Sequence, residues 1–562
     1  MATLEPENSA DYKQWRPEGP KLDGSSVHDK DGNALKLKLR LKNLKTKQDV
    51  NDKDYDATIT LSSSRVPGVA MNYPPRKEAE GGFDLYFKQS ANKAKVTGKD
   101  EQMLVVTKGR GATDITVTSR DWGGYGTVQA LVTVEGAPIE VRVIALGKDA
   151  EGPLGIPLDE NKNHIADGWE DKAGILGKNY PATWDEEPFK GSTHKGDGYS
   201  LYDEYRGFYL QKARSGKVTN RASPGDHVEL SPTEVDLLVA VQKSPFEQYG
   251  YAGANDYADI GEVKVSFVPD ANYLGALPGD VNATYPRQSN FNRSTTDKLD
   301  EEQAAVWVVF DERLAGHPGN TPHIAEIPEM SFTAPMFVTG VFVGVDSCKE
   351  EVQHEIEFGT MAIDPKYGGI KPRTMQAAIA ARGLAPATFT SKATARATAL
   401  VNELIEFTVF HELGHATGAR HHEVVPYAAC SRNCVEDSQC ADCPLYTATS
   451  KRSRPCGVAA DPERPGHILN ATVTEPFVND PEFRGSHQMQ CYSAENEHIG
   501  GGDEACPMRY WHYMDGEAIV KYLLGEWNPA AGPPRGGKWH FCAKENLPSM
   551  RLHETAGELL SP

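Results

Sequence analysis

Residues Phe410 to Cys434, FHELGHATGARHHEVVPYAACSRNC, hold four histidines within twelve positions and then two cysteines. His411 and His415 are four residues apart in a helical pattern, so both imidazoles project from one face and can share a tetrahedral cation. Gly418 can adopt a positive φ and end the helix, which turns the chain back and lets His421 approach from the other side. The spacing predicts a metal site at these three histidines.

Glu412 adjoins the first of these histidines, where it can contact a water on the metal rather than the metal itself. The complete pattern, HExxHxxGxxH, resembles the zinc signature of the metzincin clan of metalloendopeptidases. The resemblance implies a catalytic zinc ion, a metzincin-like α/β catalytic domain and a protein or peptide substrate. Zinc held by three imidazoles lowers the pKa of a bound water to near ~7, and Glu412 would act as its general base. His422 would be a ligand only if the turn shifted register.

A tight turn with a methionine beneath the metal is a further feature that the resemblance implies. The downstream segment ACPMRYWHYMDG offers Met508 and Met514. Met508 is preferred, because Met508-Arg509-Tyr510 matches the Met-x-Tyr form of astacin-like and serralysin-like members. The resemblance gives Tyr510 the role of a zinc ligand or of a transition-state stabiliser. The alternative for Met508 is an ordinary core methionine near a turn.

The connection between His421 and Met508 is long, about eighty-five residues, and it contains a Cys-rich insert at about residues 425–506. Eight of the nine cysteines of the chain lie in this insert or after it: Cys430, Cys434, Cys440, Cys443, Cys456, Cys491, Cys506 and Cys542. The segment CSRNCVEDSQCADC could form disulfides, bind a structural zinc ion or carry free thiols, and disulfides are favoured. Cys506 and Cys542 flank the predicted methionine turn and last helix and are reasonable partners.

Two residues outside the histidine motif carry weaker alternatives. Cys348 could block zinc as a thiolate in a latent form, as in the matrixin branch of the clan, but a small buried cysteine is favoured. His354, in QHEIEFG, lacks a second histidine four residues on, and its segment is predicted to be a strand.

An EF-hand-like calcium loop is predicted in GIPLDENKNHIADGWE, which ends at Glu170. Positions 1, 3, 5, 7, 9 and 12 of a twelve-residue calcium loop would be Asp159, Asn161, Asn163, the carbonyl of Ile165, Asp167 and Glu170. Position 6, normally glycine, is His164, so either the turn differs or the site is weak. The alternative is an acidic, asparagine-rich loop without metal.

A second segment, THKGDGYSLYDEY, follows the calcium loop and keeps part of the same pattern. Asp197, Gly198 and Glu204 are retained, whereas other ligand positions hold residues without suitable oxygen ligands: Thr193, Lys195 and Leu201. This pattern predicts a degenerate partner loop.

Short runs rich in Val, Ile, Thr and Tyr fill residues 30–147, separated by turn residues, which predicts an immunoglobulin-like β-sandwich over 1–150. The basic run LKLKLRLKNLKTK, from Leu35 to Lys47, alternates with period two, as a strand with one solvated face does. Residues 151–225 form the predicted calcium-binding linker. From 226 to 562, strands such as EVDLLVAVQ alternate with helical patterns, which predicts a twisted sheet covered by helices. The resemblance implies that this part is the metzincin-like α/β (α+β) protease domain.

The composition of the chain restricts the classes of partner that it can bind. The 562 residues include 59 Lys and Arg against 79 Asp and Glu, a formal charge of −20 that disfavours nucleic acid. The sequence contains no apolar stretch of ~18 residues, so no membrane span is predicted. No secretory signal is visible. The predicted calcium loop and disulfides nevertheless favour an extracellular or cell-surface location. The rival to a peptidase is a surface-binding protein in which the sandwich binds an unknown ligand and the zinc site is vestigial.

Overall fold

Strands dominate the N-terminal part of the chain and helices packed on a sheet dominate the C-terminal part. The computed structural model describes these residues: 1–20, 31–65, 83–89, 94–98, 101–150, 152–185, 197, 199–212, 217–222, 225–261, 263–268, 306–311, 319–320, 340–363, 372–416, 424–425, 459–460, 468–469, 490–491 and 516–532. The predicted combination of a β-rich part and a mixed α/β part is confirmed at this level.

Two sheets and one short helix form the N-terminal part. The strands are β1 (Ala2–Pro6), β2 (Ala34–Leu41), β3 (Asp54–Ser63), β4 (Leu85–Lys88), β5 (Ala94–Thr97), β6 (Met103–Arg110), β7 (Thr113–Ser119), β8 (Gly126–Val134), β9 (Ala137–Ile139), β10 (Val141–Ala145), β11 (Lys148–Ala150) and β12 (Leu154–Ile156), and the helix is α1 (Ser9–Gln14). One sheet has the order β11-β10-β1-β2-β7-β4, and the other has the order β12-β8-β3-β6-β5 with β9 paired to β8.

Alternation of apolar and polar residues explains how these two sheets pack. In β2 the leucines are buried and the basic residues between them face outward, as the period of two predicts. Lys38 and Arg40 on that outer face pair with Glu7 and Glu5 at 2.8 and 3.1 Å. Inward residues of both sheets form one apolar cluster, so the sheets lie face to face.

The linker segment, residues 157–228, connects the sandwich to the C-terminal part. Its elements are α2 (Asp167–Ala173), α3 (Leu201–Arg206), β13 (Phe208–Gln211) and β14 (Gly225–Val228). Helices α2 and α3 share a small core of their own, in which the rings of Trp169 and Tyr205 meet edge to face at 5.4 Å. The segment is therefore folded around its own aromatic residues.

A five-stranded sheet with helices on it forms the C-terminal part. Its elements are β15 (Asp236–Val241), α4 (Glu247–Gly261), β16 (Lys264–Phe267), β17 (Val306–Asp311), β18 (Gly319–Asn320), β19 (Gly340–Gly344), α5 (Val345–Ile363), α6 (Pro372–Ala381), α7 (Pro386–Ala416), four two-residue strands, β20 (Val424–Val425), β21 (Ala459–Ala460), β22 (Ile468–Leu469) and β23 (Gln490–Cys491), then α8 (Gly516–Leu524) and a 3₁₀ turn at Pro529–Ala531. The sheet order is β16-β15-β17-β19-β18. The first four strands are parallel and β18 is an antiparallel edge strand.

The prediction of a strand around His354 is wrong, because this residue lies within helix α5. The buried residues of α5 recur at helical spacing, at Val345, Cys348, Val352 and Ile356. A segment of only seven residues was too short to reveal that period. Among the described helices, none combines the length and the apolar character that a membrane span requires.

Candidate functional site

Helix α7 carries the first part of the histidine motif. Leu400, Leu404, Phe407 and His411 recur at helical spacing along it and are all buried. The helix is covered on several sides along its length, because it contacts α4, α5, α8 and strands β18 and β19.

His411 and Glu412 are adjacent and both almost completely buried, at 8% and 6% exposure. The imidazole of His411 lies 6.1 Å from the ring of Phe407, one turn earlier on the helix. His415 is one turn further along the same helix, which ends at Ala416. The structure thus supplies the helical spacing on which the predicted pair of ligands depends.

The rest of the predicted zinc site lies outside the described residues. His421, His422, Met508 and Tyr510 are in this group. So are seven cysteines of the insert and the C-terminal region, and for Cys491, in β23, only the backbone is described. The third ligand, the methionine turn and the cysteine pairing therefore stay predictions.

Cys348, on α5, is a reduced thiol and is completely buried. Burial raises the pKa of this thiol to about 12, against a smaller lowering by its hydrogen bond with Thr408 of α7. A thiol with this pKa is protonated at neutral pH and packs as a small apolar group. Its environment supports the buried-core interpretation rather than a zinc-blocking thiolate.

The predicted calcium loop folds so that its ligand positions face one another. The backbone amides of Asn163 and His164 donate to the two carboxylate oxygens of Asp159, at 3.1 and 2.8 Å. Glu170, on helix α2, accepts the side-chain amides of Asn161 and Asn163, at 3.2 and 2.9 Å. These contacts bring positions 1, 3, 5 and 12 of the loop to one centre.

His164 resolves the departure from the calcium-loop pattern at position 6. Its φ is +69°, so the residue adopts the left-handed conformation that glycine usually supplies there. The imidazole stacks on Tyr125 of the sandwich, with ring centroids 4.0 Å apart. The stacking contact offsets the cost of a positive φ in a residue with a side chain, about 1 kcal/mol. The sharp turn forms despite the missing glycine.

Three carboxylates of this loop have raised pKa values. Burial is the largest cause for Asp159, Asp167 and Glu170, and repulsion between these acids adds to it for Asp167 and Glu170. The pKa of Asp167 reaches about 6. Hard oxygen donors crowded in this way fit a calcium ion, which would screen their repulsion. The carbonyl of Ile165 belongs to the same loop, and its side chain is fully buried in the linker core.

A second acidic group includes a residue that the sequence analysis missed. Asp197 and Glu204, retained in the degenerate loop, meet Asp236 at the start of β15, and one ligand oxygen of each lies within 4.8 Å of the others. All three side chains have 0% exposure. A charged residue at the head of the apolar run DLLVAV was the available signal for Asp236. We call these three residues the buried triad.

Comparisons with known proteins do not assign a family. No protein-family model and no curated protein matches the chain. The reeler domain of human F-spondin is 12% identical over 24% of this chain and 93% of its own length, with a TM-score of 0.15. The DNA-binding domain of C. elegans Cep-1, an orthologue of human p53, is 12% identical over 26% of this chain and 92% of its own, also with a TM-score of 0.15. Scores this low support no argument about fold or function.

Proposed function

We propose that the chain is a zinc-dependent endopeptidase that hydrolyses peptide bonds in protein substrates. The observation that carries the proposal is the burial of His411 and Glu412 side by side on α7, with His415 one turn further along the helix. A carboxyl group next to the first histidine of the motif is the arrangement that the proposed general base requires. His421 completes the proposed ligand set by its spacing.

The three histidines would hold zinc, which supplies Lewis acidity that activates water. Glu412 takes the proton from the attacking water and then transfers it to the departing amine of the cleaved peptide. Tyr510, two residues after Met508, would donate a hydrogen bond from its hydroxyl group to the developing oxyanion.

An extended peptide is the substrate class that the sheet favours. Strand β18 is the edge of the sheet, antiparallel to β19, and it contacts the helix that carries His411 and Glu412. Among the described strands none pairs with the outer side of β18. Edge strands present backbone groups with which an extended peptide can pair. A peptide added at this edge would run beside α7.

The calcium loop has a structural role in the proposal. Asp159, Asn161, Asn163, Asp167 and Glu170 would bind calcium together with the backbone carbonyl at position 7 of the loop. The ion would rigidify the linker segment next to the sandwich, where His164 already stacks on Tyr125.

Substitution of Glu412 tests the catalytic proposal. We expect Glu412→Gln to retain zinc, measured by elemental analysis after dialysis, and to lose at least about a hundredfold of the cleavage rate of a casein-like substrate. The matched control is Glu350→Gln on the exposed surface of α5, which should cleave at the wild-type rate. Unchanged cleavage by Glu412→Gln with zinc bound contradicts the proposal.

The rival function is surface binding by the sandwich with a vestigial zinc site. It predicts no cleavage that a chelator abolishes, even in the wild-type chain with zinc bound. The retention of Glu412 argues against this rival, because a structural zinc site needs ligands but no general base.

A further inference from the structure

The buried triad joins the linker segment to the sheet of the C-terminal part. Asp197 precedes helix α3, Glu204 lies within α3, and Asp236 is the first residue of β15. Strand β15 is central in the sheet, between β16 and β17. A ligand held by all three side chains would therefore connect two elements that are distant in the sequence.

Backbone amides satisfy one member of the triad. The amide of Tyr199 donates to Oδ1 of Asp197 at 2.9 Å, and the amide of Asp236 donates to Oδ2 at 2.6 Å. These bonds fix the Asp197 carboxylate, and each oxygen keeps lone-pair capacity for a further partner. Asp197 is thus held in place in the way that an oriented ligand side chain is.

The environment of the Asp236 carboxylate points to a ligand. Both of its carboxylate oxygens are buried and accept no hydrogen bond of normal geometry from the described residues. Burial raises the pKa of this carboxyl group, and Lys264 and the backbone amide of Ser231 oppose that rise only in part. The nearest positive charge is the ammonium group of Lys264, 3.8 Å from Oδ1, on a side chain that is 42% exposed. A buried carboxylate without hydrogen bonds is strongly unfavourable, so this group is suited to a partner of another kind.

The charge of the cluster identifies that partner as a cation. Asp185 lies beside the triad and accepts the backbone amide of Asp197 at 2.9 Å, which adds a fourth carboxylate. Repulsion from Asp185 and Asp236, together with burial as the main cause, raises the pKa of Asp197 well above its usual range. The Lys264 ammonium group, 3.8 Å from Oδ1 of Asp236, supplies one positive charge next to these carboxylates.

Oxygen donors without nitrogen or sulfur select hard cations such as Ca²⁺, Mg²⁺ and Mn²⁺. Magnesium requires near-octahedral geometry and usually keeps several waters, whereas calcium accepts six to eight oxygens in irregular and bidentate arrangements. Three fully buried carboxylates with up to six oxygens match the coordination of calcium better than that of magnesium. We propose that Asp197, Glu204 and Asp236 bind one calcium ion, which clamps the linker segment to strand β15.

This site is separate from the loop at Asp159–Glu170 and does not depend on peptidase activity. The two acidic groups share no residue, and the triad includes a ligand from the sheet that an EF-hand-like loop lacks. The chain would then have two calcium positions in the linker, one facing the sandwich and one facing the C-terminal sheet.

Calcium bound per full-length chain, measured by equilibrium dialysis with radioactive calcium, tests the site. We expect Asp236→Asn and Glu204→Gln each to bind one calcium ion fewer than wild type. Glu234→Gln is the matched control, since this exposed glutamate also pairs with Lys264, at 3.3 Å, and it should bind the wild-type number. Asp159→Asn monitors the other loop and should leave the triad ion in place.

Thermal unfolding separates a calcium site from a merely structural cluster. Calcium should raise the unfolding temperature of wild type, because a ligand that binds only the folded state stabilises it. In a chelator, Asp236→Asn should unfold at or above the wild-type temperature, because the substitution relieves buried repulsion. When calcium is added, this variant should lack the part of the rise in unfolding temperature that comes from the triad. Wild-type calcium content in both triad variants overturns the proposal. The proposal is also overturned if Asp236→Asn lowers the unfolding temperature by the same amount in calcium and in chelator. That result would indicate protonated carboxyl groups that are hydrogen-bonded to each other without a bound ion.

Discussion

The substitution Gly253→Ala tests the contact that positions helix α7. Gly253 lies in the middle of α4, where a Cβ atom would stand 2.5 Å from the carbonyl oxygen of Glu406 and 2.8 Å from Cβ of Val409. Contacts of Cβ below 3.0 Å are essentially never seen, so α4 and α7 would have to separate by about 0.5 Å. The missing side chain is what allows the two helices to pack this closely.

Two opposing effects set the size of the expected change. Alanine is favoured over glycine inside a helix by about 1 kcal/mol, whereas overpacking costs about 1–3 kcal/mol. The steric effect should win, because one contact is with backbone of α7 that cannot rotate away. We expect Gly253→Ala to lower the free energy of unfolding by about 1–2 kcal/mol. Any proteolytic activity should fall by about tenfold or more, because small displacements of catalytic groups are costly.

Urea unfolding followed by circular dichroism measures the change in stability, and cleavage of a casein-like substrate measures the change in proteolytic activity. Ala258→Gly on the same helix calibrates helix propensity at a half-buried position, and it should lose about 0.5–1 kcal/mol without loss of activity. A Gly253→Ala chain that is about 1 kcal/mol more stable than wild type, as helix propensity alone predicts, would refute the reasoning.

His227 and Tyr522 give two further predictions. Burial, aided by the Arg16 guanidinium and opposed by the bond to the Arg206 carbonyl, lowers the pKa of His227 from 6.5 to about 4. The unfolded chain therefore takes up a proton first as the pH falls, and up to about 3 kcal/mol of stability should be lost between pH 6.5 and 4. Urea unfolding at several pH values should show a smaller loss of stability over this pH range in His227→Gln than in wild type. An equal loss in the two proteins contradicts the role of His227. Tyr522→Phe removes a hydroxyl that donates to the carbonyl of Leu400 at 2.6 Å, and it should cost about 1–2 kcal/mol in the same assay, whereas no loss means that the bond contributes nothing.

Local pattern predicted much of the fold. The Val-rich runs of the C-terminal part form strands β15, β16, β17 and β19, and the alternating run at Leu35 forms β2 with its charges outward. These segments are long enough to show their own period. Strand β1 was not predicted, because its five residues, ATLEP, pair with β10 and β2 from other regions of the chain. Its stability comes from neighbours that sequence order does not reveal.

The candidate sites show the same division between local and tertiary information. His411, Glu412 and His415 lie on one helix as their spacing predicts, because a helix fixes the relative positions of residues four apart. Asp236 could not be predicted as a partner of Asp197, since the two meet only after β15 enters the sheet beside α3. Motifs contained in one element are visible in a sequence, whereas sites built from several elements are visible only in a fold.

The junction between the N-terminal and C-terminal parts bears on the role of the sandwich. Trp122, which follows β7, is buried in the apolar cluster of the C-terminal part and stacks on His227 at 4.3 Å. Arg16 makes two hydrogen bonds to Glu229, at 2.5 and 2.6 Å, across the same junction. A spacer that lets two domains move independently needs a linker with few contacts, whereas this junction has a buried aromatic ring and an ion pair in which one guanidinium nitrogen contacts both carboxylate oxygens. The sandwich is therefore held in a defined position relative to the C-terminal part.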